Sequence, residues 1–224
     1  MIAGRKIQRK SLHEEIVPQL REMVVEGRWG VRETLPELQL SEELGVSRTP
    51  VREAVKILAA EGLLVVRPRS GASIKILKPQ EVEQLFETAG AIEGAAARLA
   101  VEKATEKEID RISSVHAKMV EKSERNARAE YFEMNQSIHM MIVAAAHNDV
   151  LSDLHEKLLM RMRRIRFACT NDAEGWKNAL AEHEQMLVSL KNRDAEALSS
   201  MLVEHMHKGW LRVRDFVKRE YENR

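Results

Sequence analysis

Residues 45–55 read Gly-Val-Ser-Arg-Thr-Pro-Val-Arg-Glu-Ala-Val, and this stretch decides the fold of the first third of the chain. Gly45 permits a tight turn between two helices, because a Cβ atom would be strained there. Ser47 suits the N-cap of the following helix, and Pro50 suits its first turn. Val51 begins an apolar stripe at helical spacing. The stretch therefore predicts a helix-turn-helix.

The flanking sequence extends this motif to a winged helix-turn-helix. Apolar periodicity predicts the helices, and Gly27 and Gly62 are plausible helix ends. Two short β-rich runs joined by a Pro- and Gly-containing turn predict a hairpin. The predicted elements are helices over residues 12–26, 36–44 and 47–62, and strands over 63–66 and 72–77.

From Pro79 onward the pattern changes, because no further proline and no convincing strand follow. We therefore predict a mainly α protein with two domains: an N-terminal winged helix-turn-helix over residues 1–78, and an all-α helical bundle over residues 79–224. The predicted helices of the bundle cover residues 79–103, 105–125, 128–146, 149–169, 173–191 and 194–221.

Composition and charge exclude several classes of protein. The 224 residues are 44% hydrophobic and carry a net charge of +1, which argues against a disordered chain. No apolar run reaches the roughly 18 residues of a membrane span, and the basic residues 1–10 lack the apolar stretch of a secretion signal. The single cysteine, Cys169, is typical of a reducing compartment, so we expect a cytoplasmic protein.

The small net charge conceals a division between the domains. Residues 1–78 contain 14 basic and 10 acidic side chains, whereas residues 79–224 contain 22 and 25. A basic module followed by an acidic one is compatible with a DNA-binding head attached to a sensor. The local charge is therefore more informative than the total.

The second helix of the predicted helix-turn-helix, over residues 47–62, carries residues suited to DNA contact. Ser47 and Thr49 offer hydroxyl groups to phosphates at the helix start. Arg48 and Arg52, four residues apart, share one face, and arginine binds guanine O6 and N7 bidentately. Arg69 lies at the tip of the hairpin. Each arginine alone is compatible with a solvated surface charge, but the combination favours DNA binding.

Residues 35–77 resemble the DNA-binding domain of the GntR family of bacterial transcription regulators. The resemblance implies that Arg48, Thr49 and Arg52 contact the operator, and that Gly71 lets the wing approach the minor groove. The matching text is Leu40-Ser-Glu-Glu-Leu-Gly-Val-Ser-Arg-Thr-Pro-Val-Arg-Glu-Ala-Val, Leu58-Ala-Ala-Glu-Gly-Leu-Leu and Arg67-Pro-Arg-Ser-Gly.

Three histidines of the second domain lie on the apolar stripes of three different predicted helices: His139, His183 and His205. Asn135 shares a helical face with His139. A histidine in such a position is often a hydrogen-bonded core residue. Three imidazoles and one oxygen donor also suit a divalent ion such as Zn²⁺ or Ni²⁺. Both interpretations remain open on spacing alone.

Residues 79–220 resemble FCD, the all-helical effector domain of the FadR subfamily within the same family. The resemblance implies a divalent metal held by Asn135, His139, His183 and His205, with an organic acid completing the coordination. Ala89 stands where many members have an arginine that pairs with the acid. The matching text includes Leu85-Phe-Glu, Ile92-Glu93, Asn135-Gln-Ser-Ile-His139, Ala146-His-Asn148, Glu182-His183 and Glu204-His205.

Arg161 is the candidate cation for such a ligand, because it lies on an apolar stripe with Leu158 and Ile165. A buried arginine needs an anionic partner, which would be the ligand or an internal glutamate. We expect the neighbouring arginines, Arg163, Arg164 and Arg166, to lie on a solvated face. The helical rotation of about 100° per residue turns Glu182 and Glu204 away from the histidines that follow them. No role is predicted for the other histidines, which are His13, His116, His147, His155 and His207.

The expected function is that of a DNA-binding transcription regulator that acts as a homodimer on a palindromic operator and responds to a small carboxylate. Repression relieved by the effector is the commoner behaviour in the family, and the sequence itself does not set the sign. Two competing classes are a metal-dependent hydrolase built on the three histidines and a DNA-binding protein without a ligand. No carboxylate is obviously placed as a general base, which disfavours the enzyme. The separate helical domain disfavours the ligand-free protein.

Overall fold

A computed structural model of the chain describes residues 12–30, 33–168 and 173–223. The predictions made for residues 1–10 and for Cys169 therefore lie outside the described residues. The chain divides into two compact units, Met1–Lys75 and Ile76–Arg224. The predicted fold class, a mainly α chain with a winged helix-turn-helix, is confirmed.

Within its described residues, 12–30 and 33–75, the first unit contains three helices and a hairpin. Strands β1 and β2 are antiparallel, with Leu64 opposite Ile74 and Arg67 opposite Gly71. The predicted order of elements is observed, and the boundaries differ by a few residues, as frayed ends commonly do. The elements are α1 (Leu12–Val25), α2 (Glu37–Glu43), α3 (Arg48–Ala60), β1 (Leu64–Arg67) and β2 (Gly71–Ile74).

Helices α1 and α3 form the core of this unit. Leu20, Val51 and Leu58 are fully buried there, which agrees with the apolar stripe that the sequence places on α3. An ion pair between Arg21 Nη2 and Glu61 Oε1, at 2.6 Å, joins α1 to the end of α3. The buried stripe leaves the opposite face of α3 in solvent.

The second unit is an all-helical bundle, and its described residues contain six helices and no strand. The unit buries two apolar clusters, one around Ile112, Ile142 and Leu202 and the other around Phe86 and Trp210. The helices are α4 (Pro79–Lys103), α5 (Glu106–Glu124), α6 (Arg128–Ala144), α7 (Asp149–Ala168), α8 (Ala173–Lys191) and α9 (Ala195–Glu222).

Side-chain caps explain where two of these helices begin. At α5, Thr105 accepts a hydrogen bond from the backbone N–H of Glu108, whose carboxylate accepts one from the Thr105 N–H in return. At α9, the Asp194 carboxylate accepts a hydrogen bond from the Ala197 N–H at 3.0 Å. Arg193, directly before this cap, donates to the carbonyls of Val101 and Ala104 at the end of α4.

Helices α4 and α9 pack closely against each other. A Cβ atom on Gly209 would lie 2.8 Å from Cε1 of Phe86, so this position requires a glycine as packed. His205 and Met206 lie one turn before it. No helix within the described part of the chain is both long and apolar enough to cross a membrane.

Candidate functional site

The N-terminus of α3 exposes the residues predicted to contact DNA. Ser47 occupies the N-cap position, but its side chain makes no capping hydrogen bond. Ser47, Arg48, Thr49 and Arg52 are all solvent-exposed. The free N–H groups of a helix start attract anions. This surface can therefore offer hydroxyls, guanidinium groups and backbone donors to a phosphate chain.

Arg52 has an acidic neighbour on the preceding helix. Its Nε lies 3.7 Å from Glu37 Oε2, and its side chain remains 65% exposed. An exposed pair at this distance contributes about 0–1 kcal/mol. DNA would therefore displace the contact at small cost.

The hairpin turn has left-handed backbone at two of its predicted functional residues. Arg69 has a φ of +65° and is exposed, and Gly71 has a φ of +76°. A Cβ atom on Gly71 would lie 2.8 Å from Thr34 Cγ2. Gly71 is thus required by the packing of the unit itself, while its predicted closeness to a minor groove remains a prediction.

Three buried histidines meet inside the second unit. His139 on α6, His183 on α8 and His205 on α9 are 0%, 0% and 3% exposed. One ring nitrogen from each lies within 4.8 Å of the other two, and Nε2 of His183 is 3.4 Å from Nε2 of His205. The structure therefore brings together the three histidines that the sequence placed on separate helices.

Two glutamates hold the outer nitrogens of two of these rings. Nδ1 of His139 lies 2.9 Å from Glu93 Oε2, and Nδ1 of His205 lies 2.6 Å from Glu182 Oε2. A carboxylate accepts the Nδ1 proton and leaves the Nε2 lone pair for a metal. Nε2 of His139 is buried and has no hydrogen-bond partner among the described residues. The three converging ring nitrogens, which include this unpartnered Nε2, form a ligand set that fits a divalent metal.

The ionisation of the cluster agrees with metal binding. Burial lowers the pKa of His183 well below its usual value, and burial lowers the pKa of His205 to about 4 although Glu182 opposes the shift. Burial raises the pKa of Glu182, but hydrogen bonds from His205 and Arg212 outweigh it and bring the pKa to about 2. At neutral pH these imidazoles are neutral, which is the form that binds metals.

A cavity of about 90 Å³ adjoins His205 and contains Asn135 in its wall. Asn135 is 5% exposed and lies one turn before His139 on α6. Four aromatic residues contribute to the wall, and two of them, Tyr131 and Trp176, stack with 4.5 Å between ring centroids. The lining residues are Phe86, Tyr131, Phe132, Asn135, Arg166, Gly175, Trp176, Ala179, His205, Met206, Gly209, Arg212 and Val213.

Two arginines, Arg166 and Arg212, line this cavity, so the prediction of a solvated face is wrong for Arg166. Its Nη1 is buried and has no hydrogen-bond partner among the described residues. Burial lowers the pKa of its guanidinium group, although Glu93 opposes this. His155, Leu159, Met162 and Arg166 follow one another at successive spacings of four, three and four residues along α7, and the first three are buried. That stripe turns Arg166 inward.

Arg161, the predicted ligand cation, is not among the residues that line the cavity. Its Nη2 lies 3.4 Å from Glu81 Oε1, and its side chain is 32% exposed. Of its two expected partners, the structure shows the internal glutamate. The apolar stripe of Arg161 is the neighbouring one on α7.

Two histidines without a predicted role are buried beside the cluster. His155 is 1% exposed, with Nε2 2.7 Å from Glu93 Oε1. His116 is 5% exposed, and its ring centroid lies 6.3 Å from that of His183. Glu182 does point away from the adjacent His183, but it reaches His205 across the α8–α9 interface. The sequence does contain a signal for the burial of His155, because His155, Leu159 and Met162 lie at positions i, i+4 and i+7 of α7 and so share one helical face.

Comparison with known proteins gives two family matches. The family model for the FCD domain matches residues 84–208, and the model described as bacterial regulatory proteins, gntR family, matches residues 12–74. Together they cover both units.

Individual relatives are similar over most of the chain. The HTH-type transcriptional regulator YdhC of Bacillus subtilis is 28% identical, covering 84% of this chain and 85% of the relative. The HTH-type transcriptional repressor RspR of Escherichia coli is 27% identical, covering 77% and 75%. Among solved structures, E. coli McbR/YncC has a TM-score of 0.80 at 21% identity, covering 95% of this chain and 100% of that one. The structural likeness supports the fold.

Proposed function

The chain belongs to the GntR family of bacterial transcription regulators and carries an FCD domain, and from this premise we propose a metal-dependent regulator whose operator binding responds to a small organic anion. As a member of this family it is a transcription regulator and not an enzyme. The observation that carries the proposal is the three-histidine cluster, with its orphaned Nε2, beside a cavity that contains a buried arginine nitrogen.

The first unit would bind DNA through α3 and the hairpin turn. Arg48 and Arg52 would contact base edges or phosphates, with Ser47 and Thr49 on the backbone and Arg69 at the adjacent groove. A single helix-turn-helix covers few base pairs, so a homodimer on a palindromic operator supplies the specificity. The predicted division of labour between residues 1–78 and 79–224, and a cytoplasmic location, belong to this proposal.

His139, His183 and His205 would hold the metal through Nε2, with the Asn135 side-chain oxygen as a further donor. Imidazole-rich sites favour Zn²⁺ or Ni²⁺ over hard cations. When bound, the ion supplies a positive centre that attracts anionic oxygen. The helices α6, α8 and α9 would fix the three rings in place, because each ring is buried and two are hydrogen-bonded to carboxylates.

Arg166 would anchor the effector in place of Arg161. Arg166 and Trp176 both line the cavity, and the Arg166 Nη1 and the Trp176 Nε1 are buried without a hydrogen-bond partner among the described residues. Buried donors without partners are costly, and an anionic acceptor would satisfy them. Burial raises the pKa of Tyr131 to about 12, so its hydroxyl stays protonated. A small carboxylate with an apolar body fits this lining.

Effector binding would act by favouring one arrangement of the dimer over another, since a ligand shifts an equilibrium only through its differential affinity. We propose release of a repressor from its operator as the outcome. The relative RspR, which is described as a repressor, supports this direction.

The proposal is tested with the full chain and operator fragments selected from a randomised duplex pool. Metal content is measured after purification without chelators, and binding to the selected fragment is followed by fluorescence anisotropy. Acetate, lactate, succinate and benzoate are screened by thermal shift, each beside its neutral amide. We expect stoichiometric metal and a carboxylate-specific shift that Arg166→Gln removes and Arg161→Gln retains.

Each part of the proposal has its own failure. Metal-free protein would return the histidines to a structural role. A shift that survives in Arg166→Gln would exclude the proposed anchor. Operator binding that no anion and no metal changes would favour a DNA-binding protein without a ligand.

A further inference from the structure

A buried carboxylate bridges two histidines that come from different helices. Glu93 on α4 is 0% exposed, and its two oxygens accept from His139 on α6 and His155 on α7, at 2.9 and 2.7 Å. A carboxylate without solvent is strongly unfavourable unless it is paired. The pairing here is complete in geometry, because each oxygen has its own imidazole donor.

The charge of the metal ligands makes this carboxylate necessary. Three neutral imidazoles and a neutral amide from Asn135 would leave the full charge of a divalent ion uncompensated inside the bundle. Interior charges interact more strongly than charges in water, because the dielectric constant is lower. Two carboxylates, Glu93 and Glu182, lie one hydrogen bond behind the ligands and place negative charge close to the site.

The two carboxylates differ in their other partners. The Glu182 side chain is 16% exposed and lies 2.8 Å from Arg212 and 3.5 Å from Lys208, so nearby cations already offset its charge. Glu93 contacts only the two imidazoles in the described structure, and Arg166 acts on it at longer range. Each oxygen of Glu93 therefore depends on one imidazole N–H for its pairing.

We propose that Glu93 is the main positioning residue of the metal centre: it fixes the His139 ring with Nε2 inward and places a carboxylate directly behind that ligand. Glu182 has the same relation to His205 with a smaller effect. His155 holds the second oxygen of Glu93 and supports the fold rather than the metal. This inference rests on the proposed metal site.

Ni²⁺ titration of the full chain against a competing chelating dye measures the effect. Loss of a carboxylate behind a ligating histidine typically lowers metal affinity about 10–100-fold. We expect a loss of that size for Glu93→Gln and a smaller one for Glu182→Gln. The d–d absorption spectrum of bound Co²⁺ should also change in Glu93→Gln, because the His139 ring is no longer fixed.

His155→Gln is the matched control, because it alters the other partner of Glu93 and keeps a hydrogen-bond donor. It should lower the melting temperature of the metal-free protein while its Ni²⁺ affinity stays close to wild type. A larger affinity loss in His155→Gln than in Glu93→Gln would overturn the assignment.

The dependence on His139 is tested with a double-substitution cycle. In a His139→Gln background, Glu93→Gln should cause a much smaller loss of Ni²⁺ affinity, since the ligand that it positions is already absent. An equal loss in both backgrounds would overturn the positioning role.

Wild-type protein that binds no Ni²⁺ would instead refute the proposed metal site, whereas binding that Glu93→Gln leaves intact would refute only this inference. If Glu93→Gln does not fold, Glu182→Gln at its partly exposed position carries the test, and unchanged Ni²⁺ affinity there refutes the role of the carboxylates behind the ligands.

Discussion

The surface of α3 that is predicted to contact DNA and the histidine cluster of the bundle place their candidate functional residues in opposite environments. Arg52 has an exposed side chain and one acidic neighbour at 3.7 Å, whereas His139 is fully buried and bonded to a buried carboxylate at 2.9 Å. A solvent-exposed group can be removed with little change in folding. A buried polar group cannot, because its partner is left unsatisfied. Substitutions in the first region should therefore separate function from stability, and those in the second should couple them.

The largest expected effect is on operator affinity in Arg52→Ala. A good arginine–guanine contact is worth about 1–3 kcal/mol, and a symmetric dimer loses it twice. We expect roughly 30-fold or greater loss of affinity for the selected operator, with a melting temperature near that of wild type. Fluorescence anisotropy and calorimetry measure the two quantities.

Lys56→Ala provides the control for this prediction, because Lys56 is also 65% exposed on the same helix and pairs with Glu53. It should retain sequence preference. Equal losses in the two variants would show that α3 contributes only general charge, which would weaken the contrast between the two regions.

The second prediction concerns metal removal. Binding to the folded state alone stabilises a protein by about 2.7 kcal/mol when the free metal is 100 times its dissociation constant. Chelation should therefore lower the melting temperature of the bundle by several degrees. Thermal unfolding with and without added Ni²⁺ measures this difference. An Arg52→Ala protein should show the same shift, since its substitution lies in the other unit.

These two regions also differ in what the sequence could predict. The residues of α3 that are predicted to contact DNA lie within one short segment around Gly45 to Arg52, so helix periodicity and capping place them directly. His139, His183 and His205 were found because each lies on an apolar stripe. Glu93 and Glu182 were not predicted to support them, because their contacts cross from one helix to another and depend on packing.

Helix α7 shows the same limit of sequence-based prediction, because Arg161 was predicted to be the ligand cation but Arg166 lines the cavity. Each residue lies on a stripe with apolar neighbours, Arg161 with Leu158 and Ile165, and Arg166 with Leu159 and Met162. Sequence spacing identifies both stripes. Only the packing of α7 in the bundle shows that the stripe of Arg166 faces the cavity while Arg161 reaches Glu81.

A third prediction uses the pH dependence of the metal-free protein. His183 and His205 have lowered pKa values in the folded state, the latter about 4, so below about pH 6.5 the unfolded chain binds protons that the folded chain does not. Stability is therefore fully present above that pH and falls as the pH decreases towards 4. We expect a loss on the order of 1–2 kcal/mol between pH 7 and 5.5.

Urea unfolding at several pH values measures this loss. The Glu182 carboxylate, with a pKa of about 2, adds a loss only at lower pH. His205→Gln should flatten the curve between pH 7 and 5.5, and Arg52→Ala should leave its shape unchanged. A flat wild-type curve would contradict the neutral, buried state of the cluster.

The smallest expected effect returns to the exposed pair of the first unit. Glu37→Gln removes the carboxylate near Arg52, which contributes at most about 1 kcal/mol to the pair and also repels phosphate. We expect operator affinity to rise up to about 5-fold, with stability changed by less than about 0.5 kcal/mol. The gain should shrink as salt increases, because the charges are screened. In an Arg52→Ala background the gain should be smaller, since part of it acts through that arginine. Lower affinity in Glu37→Gln would instead show that Glu37 orients Arg52 for DNA, and the exposed surface would then share the preorganisation seen in the buried cluster.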